Sequence, residues 1–437
     1  MNKKSVPGTI SLSKAAEDGD MDMSEKETHH IAVKAQPFDT MQYFYGLVQN
    51  PVIRCYLYFH GRIDTDRLQE AIRRTISMYP IMRCTFDFKK QEWKESDFSE
   101  KKYLSIMDQN KNDNETENEN NLSSLEIGID PPIKINLIHN TNDDFICVMV
   151  SHLLCDGRGF EQVLYTLSSF YSGNAVKNDN TDRSFHQIIQ KIPLIERGKL
   201  LFAKSELRIS NAKHHLPFTE GNGTPGLIIK QINPGSFLNL RRYAKTHNVS
   251  VNDVFLAAYI KTLHTLFGWD AISLPCPVDL RKFSNGADIS VCNLTGNYHC
   301  EIQTEQMDTF ENILARVSLQ MRKQKDSNDC LKEPELFHIL YHLMPRGLLK
   351  KLFFRIAPVP VLSYSNLGML DEKKLMFKGT DILNAFISTA VKPVPYFQLS
   401  ISTYKDICTL SCCTMAKGKD RDMIQKLMNE IYRNLLN

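Results

Sequence analysis

Residues 145–159 read FICVMVSHLLCDGRG. The first six, Phe145 to Val150, form an unbroken apolar run rich in β-branched residues, the pattern of a buried strand. The run ends on Ser151-His152, crosses Leu153-Leu154-Cys155 and reaches Asp156-Gly157. Beyond Gly159 the period changes: Phe160, Val163, Leu164, Leu167, Phe170 and Tyr171 recur at helical spacing. An imidazole therefore stands where a buried strand stops. A carboxylate follows four residues on, and glycines surround the turn. Loops fixed by a rigid scaffold are where catalytic side chains concentrate.

Upstream, residues 133–138 (IKINLI) alternate as a strand, and Asn140-Thr141-Asn142-Asp143 turns the chain into the apolar run. The two strands read as a hairpin that ends at His152. Residues 52–60 (VIRCYLYFH) form another strand, Asp64 or Thr65 caps a helix with Leu68, Ala71 and Ile72 on its apolar face, and Tyr79-Pro80 stops it. Residues 81–86 then read as a second strand, which predicts a β-α-β unit. Downstream, strands are predicted at 226–231, 271–277, 293–302, 361–367, 396–403 and 406–414. Helices are predicted around 237–244, from about 250 to Gly268, at 309–326 and at 420–436. The apolar stretch 334–357 carries Arg346, Lys350, Lys351 and Arg355. It reads as a core helix with a basic outer side, with peripheral membrane contact as the second reading.

With 437 residues the chain exceeds one ordinary core, and two subdomains are expected. The division is a polar tail at 1–35, an N-terminal subdomain at 36–190, a linker at 191–225 and a C-terminal subdomain at 226–437. Residues 108–122, dominated by Asn, Asp and Glu, form a solvated insert loop. A net charge of +3 argues against nucleic acid as a partner. Eleven cysteines without framework spacing, and no apolar leader or membrane-length run, point to a cytoplasmic protein. No metal site is expected: His29-His30 lack partners at ligand spacing, and Cys412 and Cys413 point to opposite faces of a strand. GxGxxG, Walker A, GxSxG, HExxH and CxxC motifs are absent.

His152 is the histidine placed like a catalyst. Near neutral pH an imidazole accepts a proton readily. Asp156 either holds the imidazole directly or folds back onto an arginine, for which Arg281, just past a strand, is the candidate. Gly157 and Gly159 provide close backbone approach or a positive φ in the turn. Spacing alone leaves a purely structural His152 equally admissible.

The segment SHLLCDG, residues 151–157, resembles the HHxxxDG signature of the chloramphenicol-acetyltransferase-like acyltransferase superfamily. That superfamily includes peptide-synthetase condensation domains, alcohol O-acetyltransferases and polyketide-associated acyltransferases. Four more segments fall in family order: RLQEAIRRTISMYPIMRCTF, VSVNDVFLAAYIKTL, PVDLRKF and SYSNLG. The resemblance covers most of residues 38–435. It implies an α/β (α+β) fold of two subdomains in a V, with a central tunnel past the histidine. It implies His152 as general base, Asp156 paired with Arg281 as structural support together with Gly157, and no acyl-enzyme. The oxyanion donor is not fixed by the motifs; the Gly157 backbone N–H and Asn366 are candidates. Ser151 replaces the first signature histidine, and the DFGWG motif of the plant BAHD branch is absent.

The resemblance leans toward stand-alone alcohol O-acetyltransferases. It implies an acyltransferase that binds no cofactor and moves an acyl group from acyl-CoA to a small-molecule alcohol or amine. The first alternative is a free-standing condensation enzyme taking acyl groups from carrier-protein phosphopantetheine supplied in trans. The second is a non-catalytic binding module on the same fold.

Overall fold

The computed structural model describes residues 32–108, 125–177, 180–202, 214–284, 286 and 289–436. The strand Asp144–Ser151 is buried at every position. Ile146, Val148 and Val150 enter a core with the helices Thr65–Met78 and Gly157–Tyr171, while Phe145, Cys147 and Met149 pack on the opposite face against Leu227, Phe386 and Cys413. A strand with cores on both faces has no polar side to alternate with.

That strand lies in the middle of a five-stranded sheet ordered Asp381–Ser388, Val52–His60, Asp144–Ser151, Ile133–His139, Leu104–Asp108. Val52 pairs with Ser151 and Ile133 with Val150, and the pairing of Leu104–Asp108 with Ile133–His139 is parallel. The edge strand Asp381–Ser388 comes from the second half of the chain and pairs antiparallel with Val52–His60. The sequence reading placed no strand there.

The predicted β-α-β unit does not form. Asp64 caps the helix Thr65–Met78 by accepting the Arg67 N–H at 3.0 Å, and the helix ends at Tyr79 as expected. Pro80, with its fixed φ, opens a 3-10 turn, Pro80–Arg83, which shortens the following strand to Cys84–Asp87. That strand joins a separate sheet with Glu92–Glu95 and Ala32–Lys34. The described residues thus include the end of the predicted tail, where Ala32–Lys34 is a strand and Ala35 is buried. Most of the insert 108–122 and the pair His29-His30 lie outside the described residues.

The second half builds a four-stranded sheet ordered Leu362–Met369, Phe397–Tyr404, Ile407–Ala416, Asn222–Ile232, and a hairpin of Ala271–Asp279 with Thr295–Gln303. Asn222–Ile232 extends the predicted strand 226–231 back into the expected linker; it is an edge strand, where Pro225 is tolerated. The helix Val251–Phe267 begins with a Ser250–Asp253 capping box, ends at Gly268 with φ +66°, and is buried along most of its length. The stretch 334–357 is two helices, Lys332–Leu343 and Arg346–Ile356, broken at Pro345 and seated in the core by Phe337, Tyr341, Leu349 and Phe353. No helix of the described residues is long and apolar enough to cross a membrane. The result is a mixed α/β fold of two subdomains. All eleven cysteines are buried free thiols; Cys412 faces the C-terminal core and Cys413 the layer between the sheets.

Candidate active site

The chain that leaves Asp144–Ser151 is held by its backbone. The His152 N–H donates to the Pro51 carbonyl at 2.7 Å, and the Ser151 N–H to the Pro132 carbonyl at 2.8 Å. Asn293 Nδ2 donates to the carbonyls of His152 and Leu153 at 3.0 and 3.1 Å. The next carbonyl, Leu154, accepts from Arg183 Nη2 at 2.6 Å. Arg183 in turn forms a bidentate pair with Asp39 at 2.9 and 3.1 Å, and Trp93 Nε1 donates to the same carboxylate at 2.9 Å. Both members of this pair are buried. Three consecutive carbonyls are therefore fixed by side chains far away in the chain. None of Asn293, Arg183 and Asp39 was singled out by motif or spacing; Asn293 lies 141 positions from His152 and Arg183 lies 144 from Asp39.

Asp156 points away from the imidazole and caps the helix Gly157–Tyr171. Its Oδ1 accepts the Gly159 N–H at 2.8 Å. Its Oδ2 accepts from Arg281 Nη1 at 3.0 Å, the Leu294 N–H at 2.7 Å and the Thr295 hydroxyl at 3.0 Å. Burial works to raise its pKa. The Arg281 guanidinium and the hydrogen bonds overcome that and hold the carboxyl below the usual carboxylate range. Arg281, in the turn after Ala271–Asp279, also reaches Asp279 at 3.0 Å and the Cys292 carbonyl at 2.8 Å. The structure thus brings together the turn of the first half and the hairpin of the second through one buried ion pair.

His152 itself is half-buried, and its Nδ1 is buried without a partner in hydrogen-bonding geometry. Burial lowers its pKa below the ordinary imidazole value, and the nearby Lys392 charge adds to that. The residue's own carbonyl, Asp156 and Asn293 act the other way. The net result is a neutral ring at neutral pH. Ser151, in place of the first signature histidine, uses its Oγ to accept the Leu153 N–H at 3.3 Å, closing the turn.

Gly157 and Gly159 serve close approach; neither has a positive φ. A Cβ on Gly157 would lie 2.4 Å from Leu367 Cδ2, the end of a side chain from the SYSNLG strand. A Cβ on Gly159 would lie 2.8 Å from Cys155 Cβ and 3.0 Å from the Cys292 carbonyl, which already accepts from Arg281. The Leu367 methyl ends a flexible side chain, whereas the Cys292 carbonyl is backbone. Gly159→Ala is therefore expected to destabilise by about 1–3 kcal/mol and Gly157→Ala by less, read as the shift in urea midpoint at constant slope. Asn366 sits beside Leu367, with Nδ2 donating to Asn252 Oδ1 at 2.9 Å and Oδ1 accepting the Gly368 N–H at 3.0 Å. Its amide is thus already engaged at the start of the helix Val251–Phe267. Among the described residues no group of three or more His, Cys, Asp and Glu side chains is arranged to hold a metal.

Residues 45–197 match the family model of the condensation domain. No curated protein matches by sequence. Among solved structures the chain is similar to the first condensation domain of the CDA synthetase, at 13% identity over 94% of this chain and 97% of that one, with a TM-score of 0.63. It is similar to the epimerization domain from the third module of tyrocidine synthetase B, at 14% identity over 94% and 98%, with a TM-score of 0.61. It is also similar to the TRI3 trichothecene 15-O-acetyltransferase from Fusarium sporotrichioides, at 12% identity over 94% and 97%, with a TM-score of 0.66. At such identities the likeness is one of fold, that of the chloramphenicol-acetyltransferase-like and condensation-domain superfamily. These findings correct the expectation of free acyl-CoA as donor and the leaning toward alcohol O-acetyltransferases. The match carried by sequence is to the condensation domain, and condensation and epimerization domains recur among the similar folds. The acetyltransferase likeness carries nothing beyond the fold. The alternative, a carrier-bound acyl donor, is the reading they favour.

Proposed function

We propose that the protein transfers an acyl group from a carrier-protein-bound phosphopantetheine thioester to an amine or alcohol acceptor, with His152 as general base. The observation that carries this reading is a half-buried imidazole on a backbone clamped from three directions, at the junction of the two subdomains. With Nδ1 buried, Nε2 is the nitrogen that meets the acceptor. It takes the acceptor proton as the nitrogen or oxygen attacks the thioester carbonyl. The tetrahedral adduct collapses, the C–S bond breaks, and the imidazolium returns the proton to the leaving thiolate. No acyl-enzyme forms. Donor and acceptor approach from opposite faces of a tunnel between the subdomains, so holding them in line supplies much of the rate. Asp156, Arg281 and Gly157 position the loop without touching substrate.

The test incubates the full chain with a carrier protein loaded with acyl-phosphopantetheine and a pool of amines and alcohols. Intact-mass spectrometry follows loss of the acyl group and appearance of product. Transfer above the buffer rate is expected; a carrier that keeps its acyl group with every acceptor overturns the reading. The pH profile follows from the sign of the histidine shift. A base whose pKa is depressed stays unprotonated further into acid, so the acid limb of kcat/KM is expected to have its midpoint below about 6.5. A midpoint above that value contradicts a desolvated base.

A further inference from the structure

The helices Lys332–Leu343 and Arg346–Ile356 each bury one side and turn the other outward. Phe337 and Tyr341 on the first, and Leu349 and Phe353 on the second, enter the C-terminal core. The Phe337 and Phe353 rings meet edge to face with centroids 5.7 Å apart, so the two inner faces converge. The opposite faces therefore both look away from that core. On the first helix this side carries Leu336 and Leu343, two turns apart and both exposed. On the second it carries Leu348, Lys351, Leu352 and Arg355, which recur at i, i+3, i+4 and i+7. The short turn at Pro345 brings the two sides together, with Leu343 76% exposed and Leu348 53% exposed.

The charge of this stretch has one sign. No Asp or Glu occurs between Glu335 and Asp371, whereas Arg346, Lys350, Lys351 and Arg355 fall inside that interval. Glu335 is buried against Arg197, and Arg346 lies over the Tyr341 ring. Lys351 and Arg355 are exposed and meet no carboxylate among the described residues. The core of a protein–protein interface is depleted of lysine and enriched in aromatic side chains. Here aliphatic side chains alternate with long basic ones, whose stems lie along apolar surface while their charge stays in water. That is the pattern of a helix lying in a headgroup layer, where anionic lipid attracts the basic residues. No helix of the described residues can cross a bilayer, so the contact is with its surface.

We propose that the turn at 343–348 and the outer face of Arg346–Ile356 seat the protein on an anionic phospholipid surface. Leu343 and Leu348 enter the boundary between headgroups and acyl chains, and Lys351 and Arg355 meet lipid phosphates and carboxylates. This docking does not depend on the acyl-transfer chemistry. The test is flotation of the full chain with phosphatidylcholine vesicles, with and without phosphatidylserine. Binding is expected with phosphatidylserine present, and weaker when salt rises from about 0.1 to about 0.5 M. Reversing both charges, Lys351→Glu with Arg355→Glu, is expected to lower the partition coefficient by roughly tenfold or more. Leu343→Ser with Leu348→Ser is expected to lower it by roughly tenfold as well, at either salt concentration. These four side chains are exposed, so the urea midpoints of both variants are expected to match wild type. No flotation with phosphatidylserine, equal flotation on phosphatidylcholine alone, or wild-type flotation of either variant overturns the site. A carrier protein whose binding Lys351→Glu weakens, while vesicles stay unbound, also overturns it and assigns the face to a protein partner.

Discussion

Alanine at position 152 is expected to lower acyl transfer from the carrier by roughly 10²–10⁴-fold while leaving the fold in place. The separation of the two effects follows from how the loop is built. Its order comes from the backbone: the Pro51 carbonyl below, Asn293 across two carbonyls and Arg183 on the third. The imidazole contributes no hydrogen bond from Nδ1 to that framework, and the ring is half-buried. Truncating it removes the proton acceptor and leaves the platform. What survives is the proximity of the two reactants, which does not need the base. The measurement is the initial rate of carrier deacylation for wild type and His152→Ala, beside their urea midpoints. Equal rates would remove His152 from the chemistry. A lost midpoint would make it a structural histidine, the reading that spacing alone left open.

The parts of this architecture that were legible are those whose signal is local. A run of six apolar residues announces a strand with two buried faces, and the change to helical spacing after Gly159 announces the helix that Asp156 caps. Motif order placed Arg281 opposite Asp156, and the two lie 3.0 Å apart. Where the reading failed, the deciding contacts are distant. Asp381–Ser388 becomes a strand because Val52–His60 offers it an edge, a fact about residues more than 300 positions away. Residues 81–86 look like a strand, yet Pro80 spends the first of them on a turn and sends the remainder to another sheet. Arg54 reads as the polar member of an alternating strand; only the second sheet, packed over that face, turns it into a buried charge. Asn293 and Arg183 carry no local pattern because their work is done on carbonyls elsewhere, and Asp39 carries none because it acts through Arg183.

The largest stability change is expected at Asp156. Replacing it with alanine leaves Arg281 buried with only the half-exposed Asp279 as a carboxylate partner, and strips acceptors from the Gly159 and Leu294 N–H groups and the Thr295 hydroxyl. Breaking a buried pair in this way costs about 3–5 kcal/mol, read from urea unfolding. Arg281→Met in the same chain removes the stranded charge, so the double variant is expected to be more stable than the sum of the singles by about 0.5–3 kcal/mol. Strict additivity would mean that the pair does not act as a unit. Acid provides an independent check. The folded carboxyl titrates below its unfolded value, so its contribution is complete above about pH 4 and fades as pH falls toward the folded pKa. The stability gap between wild type and Asp156→Asn should hold steady from neutrality to about pH 5 and narrow below about 4. A gap that instead widens in acid would mean that Asp156 is held protonated, and that Arg281 answers to Asp279 alone.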